Sequence, residues 1–227
     1  MAFTRAELIT EARALADAES DVRWNATTIR RHLDTVFDAE WGRVLAAFPT
    51  TRIGHRTAAV SADGYVAKSA LSSGTGDTEE RFYRILGVRD GIRTYALSDL
   101  ADNLVTSELG DSLEHWGPVY WWEGDRLRLS PIPSTGTVTV TVSHRPPLPN
   151  ALSGDGVTVT FPEPYEMLLA YGTAARMLTK GGAETGAAAD LIATADDIRD
   201  DMLADLSRRD QVPVTWRYTD SRSDWAG

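Results

Sequence analysis

The side chains best able to do chemistry in this chain are carboxylates. Glu79-Glu80 and Asp196-Asp197 are adjacent acidic pairs of the sort that share a proton or hold a cation. Asp190, Asp196, Asp197, Asp200, Asp201 and Asp205 crowd one stretch of helical pattern, where a hard divalent ion would look for oxygen ligands. Helical spacing spreads these residues along an exposed face, and no glycine-bearing calcium loop accompanies them, so a solvated acidic surface is the expectation. The histidines at 32, 55, 115 and 144 are scattered and form no HxH or HExxH pair. Cysteine does not occur, which removes thiolate nucleophiles, disulfides and cysteine-based metal sites. P-loop, GxGxxG and GxSxG patterns are missing as well. The chain therefore reads as a non-enzyme with no catalytic residue, no cofactor and no metal.

Flat rings offer a second kind of chemistry. Trp121-Trp122, with Trp116 nearby, would suit a groove for a sugar or a peptide. Neighbours in a strand point to opposite faces, so at most one of Trp121 and Trp122 faces a given groove while the other enters a core or an interface. A β module binding sugar or peptide through exposed tryptophans stands as the alternative to a structural role.

Composition narrows the class further. At 227 residues, 42% hydrophobic and 25% charged, the chain has the make-up of a globular protein able to bury a core. The net charge of −10 argues against gripping DNA, which takes clustered Lys and Arg, and suits a surface that repels a duplex. No apolar run approaches the length of a spanning helix, and Met1-Ala2-Phe3-Thr4-Arg5-Ala6-Glu7 lacks the form of a signal peptide. Synthesis in a cytoplasm, with no membrane partner, is expected.

The elements that position these residues follow from capping and periodicity. Thr4-Arg5-Ala6-Glu7 has the capping-box form and starts a helix near residue 5, with Leu8, Ala12 and Leu15 inside. Asn25 caps a second helix, Trp24 packs on Ile29 as a staple, and Ile29, Leu33, Val36, Phe37, Trp41, Val44, Leu45 and Phe48 mark a long amphipathic helix that Pro49 stops. From Thr50 to about Thr160 short β-rich runs alternate with turns. They include a hairpin of 82–88 with 92–97, a helical turn at 98–102, and strands at 119–122, 126–129 and 137–142. Pro146-Pro147-Leu148-Pro149-Asn150 is a stiff connector. Beyond residues 157–161, Pro162-Glu163-Pro164 is expected to open a helix through Leu178, rich in the small residues Ala170, Gly172, Ala174 and Ala175. A last helix spans about 184–208 on a stripe of Leu191, Ala195, Ile198, Met202 and Leu206. The fold class predicted is α+β: an α-helical bundle with a long amphipathic helix and an inserted, mostly antiparallel β unit. Residues 1–49 and 162–209 are the helical core, 50–161 the β-rich insertion and 210–227 an extended C-terminal arm. The arm shows no periodicity, yet Trp216, Arg217, Tyr218, Arg222 and Trp225 are the residue types that anchor interfaces.

In this order the chain resembles the phage head–tail connector, or adaptor, proteins. The resemblance is carried by Trp24-Asn25-Ala26-Thr27-Thr28-Ile29-Arg30-Arg31-His32-Leu33, by Leu127-Arg128-Leu129-Ser130-Pro131-Ile132-Pro133 with Gly136-Thr137-Val138-Thr139-Val140, by Arg145-Pro146-Pro147-Leu148-Pro149, and by Phe161-Pro162-Glu163-Pro164-Tyr165-Glu166-Met167-Leu168-Leu169-Ala170-Tyr171. It implies a structural virion protein forming a ring, usually dodecameric, beneath the portal. In that setting the arm residues 216, 217, 218, 222 and 225 dock on the portal protein, and downstream neck or tail proteins attach on the other side. DNA passes without specific binding, and the acidic face of Asp190, Asp197, Asp200, Asp201 and Asp205 suits a channel lining. A tail-completion or terminator role is the nearest virion alternative.

Overall fold

The computed structural model describes residues 2–18, 24–74, 79–97, 117–152, 154–181 and 185–210. The first helix, α1 (Arg5–Leu15), begins at the expected capping box: the Thr4 hydroxyl accepts from the Glu7 amide, and the Glu7 carboxylate accepts from the Thr4 amide. It buries Leu8, Ile9 and Ala12, while Leu15 is only partly covered. Asn25 caps α2 (Ala26–Ala47) by accepting from the Thr28 amide at 2.8 Å. Trp24 lies at the edge of the helical core, its ring edge-on to His32 with centroids 5.9 Å apart. The apolar stripe of α2 is buried from Ile29 to Leu45, and two residues outside the apolar pattern, His32 and Glu40, are buried with it.

Among the described residues the β strands are β1 (Ile53–Ala59), β2 (Tyr65–Ala67), β3 (Arg81–Arg89), β4 (Thr94–Leu97), β5 (Val119–Glu123), β6 (Arg126–Ser130) and β7 (Thr137–Arg145). They form one sheet in the order β1-β7-β3-β4-β5-β6-β2. The 82–88/92–97 hairpin is present as β3 and β4, though only Val88↔Tyr95 and Arg89↔Thr94 pair. Every neighbouring pair is antiparallel except β4 and β5, which run parallel through Ala96↔Val119 and Leu97↔Tyr120. A tight turn at Ser61–Tyr65, with Gly64 at φ 82°, carries β1 into β2 and brings the two edges of the sheet together as a nearly closed barrel. Alternation supplies its interior: Leu127 and Leu129 from β6, Val138, Val140 and Val142 from β7, with Ile85, Val88, Tyr95 and Tyr120.

This corrects the expected fold class. The chain is a mixed α+β protein, with four α-helices and a seven-stranded mixed sheet among the described residues, not a helical bundle carrying a mostly antiparallel insertion. Two features escape a local reading. The four-residue β4 finds its parallel partner only across about twenty residues of chain, and closure of a sheet follows from long-range pairing that no single run of sequence displays. The helical turn expected at 98–102 lies outside the described residues.

Past the sheet, the proline connector ends in a 3-10 turn at Pro149–Ala151, and Val159 and Phe161 run extended into the helical core. Helix α3 (Met167–Gly181) starts later than Pro162. The Tyr165 amide donates to the Pro162 carbonyl at 2.9 Å, so the two prolines shape a turn that precedes the helix. Helix α4 (Thr185–Asp210) closes the described chain, with Ala195, Met202 and Leu206 buried and Leu191 and Ile198 partly so. Helices α2 and α3 pack so closely at Gly172 that a Cβ there would lie 2.8 Å from Val36 Cγ1.

Polar anchors tie helices to sheet. Arg145 of β7 pairs with Asp38 of α2 at 2.5 Å and lies over the Tyr83 ring at 5.1 Å. The buried Arg5 guanidinium donates to the Pro149 and Leu152 carbonyls and to Asp155, fixing the loop after the sheet to the start of α1.

Candidate functional site

Helix α4 is long because its sequence is rich in Ala and Leu and free of Pro, with Arg208 and Arg209 in the last turn to complement the carboxyl end of the helix dipole. With 100° per residue, Asp190, Asp197 and Asp201 share a line along the helix, Asp200 and Asp205 flank it, and the buried Ala195 and Met202 lie on the far side. Asp190, Asp197, Asp200 and Asp201 are exposed, and their carboxylates have no ion-pair partner among the described residues. Asp205 differs: it is half-buried and pairs with Arg209 at 2.6 Å. Its charge sits near Tyr165, whose hydroxyl is pushed above its ordinary range by burial first and by Asp205 second.

Asp196 is on a different flank, paired with Arg199. Arg199 also grips Glu40 of α2, which holds its guanidinium firmly protonated. Among the described residues no three of His, Cys, Asp and Glu converge as a metal site would require. The acidic residues form a spread surface of one sign, and the chemistry open to such a surface is repulsion of a polyanion.

The tryptophans separate as strand alternation dictates. Trp121 is 7% exposed and packs with Val119, with the Arg128 guanidinium 5.6 Å from its ring. Trp122 points the other way, 5.7 Å from Phe82, and lines an open hollow of about 430 Å³ with Tyr120, Lys68 and Arg84. Trp116 and the arm residues Trp216, Arg217, Tyr218, Arg222 and Trp225 lie outside the described residues.

One polar cluster was not anticipated. Glu80 accepts from Arg52 at 2.7 Å, from Arg56 at 3.1 Å and from Ser73 at 3.0 Å, and stands 3.1 Å from the buried His144. Arg52 with Arg56, Glu80, and His144 come from three separate stretches of the chain and meet because β1, β7 and the start of β3 are neighbours, while Ser73 reaches Glu80 through a local bridge. A second unanticipated feature, the buried Glu40, did carry a signal: it interrupts the apolar stripe of α2 one turn after Val36 and Phe37.

No curated protein matches the chain. The model of the SU10 adaptor protein family matches residues 3–218, nearly the whole length and both the helices and the sheet, and the chain therefore belongs to this family of phage structural adaptors.

Proposed function

We propose that the chain assembles as a ring of twelve copies beneath the phage portal and joins the head to the neck or tail of the virion. Residues 1–49 and 162–209 are the part that packs side by side around the DNA channel, 50–161 reaches outward to the next protein, and 210–227 is an arm that docks on the portal through Trp216, Arg217, Tyr218, Arg222 and Trp225. The acidic face of α4 lines the channel. The observation that carries this reading is a line of exposed carboxylates at Asp190, Asp197 and Asp201, without ion-pair partners among the described residues, on a member of the SU10 adaptor protein family. A negative wall denies phosphates the Lys and Arg contacts that would hold them, so the duplex slides. The small residues of α3 serve packing inside the subunit instead: Ala170, Ala174 and Ala175 are buried, and Gly172 lies against Val36 of α2.

The test is cryo-electron microscopy of the chain mixed with the portal encoded in its own genome. An added ring whose C-terminal arms touch the portal supports the reading, and a bare portal overturns it. Removing residues 211–227 is expected to leave the thermal transition in place, because Leu206 is the last buried residue of α4 among those described, and to abolish docking. The hollow beside Trp122 favours a second reading, a sugar or peptide site on the sheet. Tryptophan fluorescence titrated with glycans and peptides separates the two: quenching in the free chain supports the module, and a flat response leaves the adaptor.

A further inference from the structure

We propose that neighbouring copies join head to tail, with the exposed face of α1 of one copy seated in the groove between α2 and α4 of the next. This rests on the ring reading above and names the two surfaces that would close it. A closed cyclic ring requires two different, complementary patches on each subunit.

The first patch is a groove of about 190 Å³ whose floor is α3 at Gly172 and Ala175 and whose walls carry Ala39, Arg43, Arg176 and Ile192. Its charges do not balance. Glu40 is held by Arg199 and Arg43, and Asp196 by Arg199, which leaves Arg176 with no ion pair or hydrogen bond among the described residues and its Nε buried without a partner. The groove is thus net positive on a chain of net charge −10. Ile192 on its rim is 47% exposed.

The second patch is the outward row of α1: Glu7, Thr10, Glu11 and Ala14, spaced i, i+3, i+4, i+7 and all exposed. Helix α1 packs on α3 yet contributes no residue to the groove, so the two patches occupy different sides of the same central helix. Glu7 is committed to its capping box, whereas Glu11 has no ion-pair partner among the described residues. The short side chains of Thr10 and Ala14 match a floor of Gly172 and Ala175, and the carboxylate of Glu11 is the complement of Arg176 and Arg43. Seating α1 there also covers Ile192. Because the groove opens on a flank of α4 away from the line of Asp190, Asp197 and Asp201, the acidic face stays free for the channel.

The experiment uses the full chain with its portal and scores rings by electron microscopy. Wild type is expected to form rings, and Arg176→Glu or Glu11→Arg alone to lower the ring fraction by about tenfold or more through like-charge contact. An equimolar mixture of the two variants is expected to restore rings that contain both, because every contact in an alternating ring is then between opposite charges. Rings from each variant alone at the wild-type level, or a mixture that does not recover, would overturn the inference while leaving the ring itself intact. Absence of rings from the wild type would instead remove the reading on which it rests. The chain has no cysteine, so Ala14→Cys combined with Ala39→Cys gives an independent readout. Oxidation is expected to yield a ladder of covalent oligomers, and only monomers in rings formed by this variant would count against the contact.

Discussion

Glu40 of α2 and Arg199 of α4 meet in a two-pronged ion pair, Nε to Oε2 at 2.8 Å and Nη2 to Oε1 at 2.9 Å, although 159 positions separate them. The Glu40 side chain is 5% exposed and that of Arg199 17%, so the pair is largely out of water. Removing one partner of such a pair strands a charge. Glu40→Ala is expected to cost about 3 kcal/mol, read as a shift of the urea midpoint with unchanged slope. Glu40→Leu with Arg199→Met is expected to recover most of that loss, since a matched apolar pair needs no charge desolvated. Equal destabilisation of the single and double variants would show that packing, and not the charge, is what the site supplies.

The close approach of α2 and α3 is expected to make Gly172→Ala unfavourable. In an open helix this change stabilises by up to about 1 kcal/mol, because glycine is the more flexible residue in the unfolded chain. Here the new Cβ meets Val36 Cγ1 at 2.8 Å, and overpacking of that kind costs about 1–3 kcal/mol. Denaturant unfolding of Gly172→Ala, Val36→Ala and the double variant tests this. Pairing the two changes is expected to be less harmful than the sum of the singles, and strict additivity would sink the account.

How much of this was legible follows from the range of the interactions. Helices α1 and α2 are written locally: Thr4 with Glu7, Asn25 with Thr28, and an apolar stripe from Ile29 to Leu45. Strands β6 and β7 announce themselves by alternation, Leu127 with Leu129 and Val138 with Val140 and Val142. The parallel β4–β5 pair, the return of β1 into β2 and the gathering of Arg52, Arg56, Glu80 and His144 depend on residues brought together by topology, and no spacing encodes them. The acidic line of α4 was visible because helical periodicity alone places Asp190, Asp197 and Asp201 on one side. The groove was not, because its walls come from three helices.

Arg145 joins sheet to helix by two means at once, the Asp38 carboxylate at 2.5 Å and the Tyr83 ring at 5.1 Å. Because Asp38 is 43% exposed, the ion pair alone contributes little, up to about 1 kcal/mol, and the stacked guanidinium adds a comparable amount. Arg145→Lys keeps the charge but loses the flat stacking surface. It is therefore expected to lose stability by about 1 kcal/mol, and Arg145→Ala by about 2 kcal/mol. Thermal unfolding in low and high salt separates the parts. The Lys deficit is expected to persist in salt, and its disappearance there would assign the contact to charge alone.

Acid is expected to weaken the fold through His144 and Glu80, and the sign follows from their surroundings. Burial, first, and then the charges of Arg52 and Arg56 hold His144 below its ordinary value of 6.5, against the opposing pull of Glu80. The unfolded chain therefore takes up this proton before the folded one does, and stability falls as the pH drops below 6.5 until the folded histidine titrates. Glu80 acts in the same direction at lower pH. Burial works to raise it, but the Ser73 hydrogen bond and the charges of His144 and Arg52 outweigh that and leave it below 4.5. Its contribution is present above 4.5 and is lost as the pH falls through the folded value. His32, also depressed by burial first and then by Lys180 and Arg176, adds to the upper part of the slope. Urea midpoints measured from pH 7 down to about pH 2.5 should show His144→Gln flatter than wild type below about pH 6.5, with Glu80→Gln less stable at neutral pH and flatter in the limb below about pH 4.5. Parallel curves for wild type and His144→Gln would mean that the histidine is equally easy to protonate folded and unfolded, and that its place between two arginines has no electrostatic consequence.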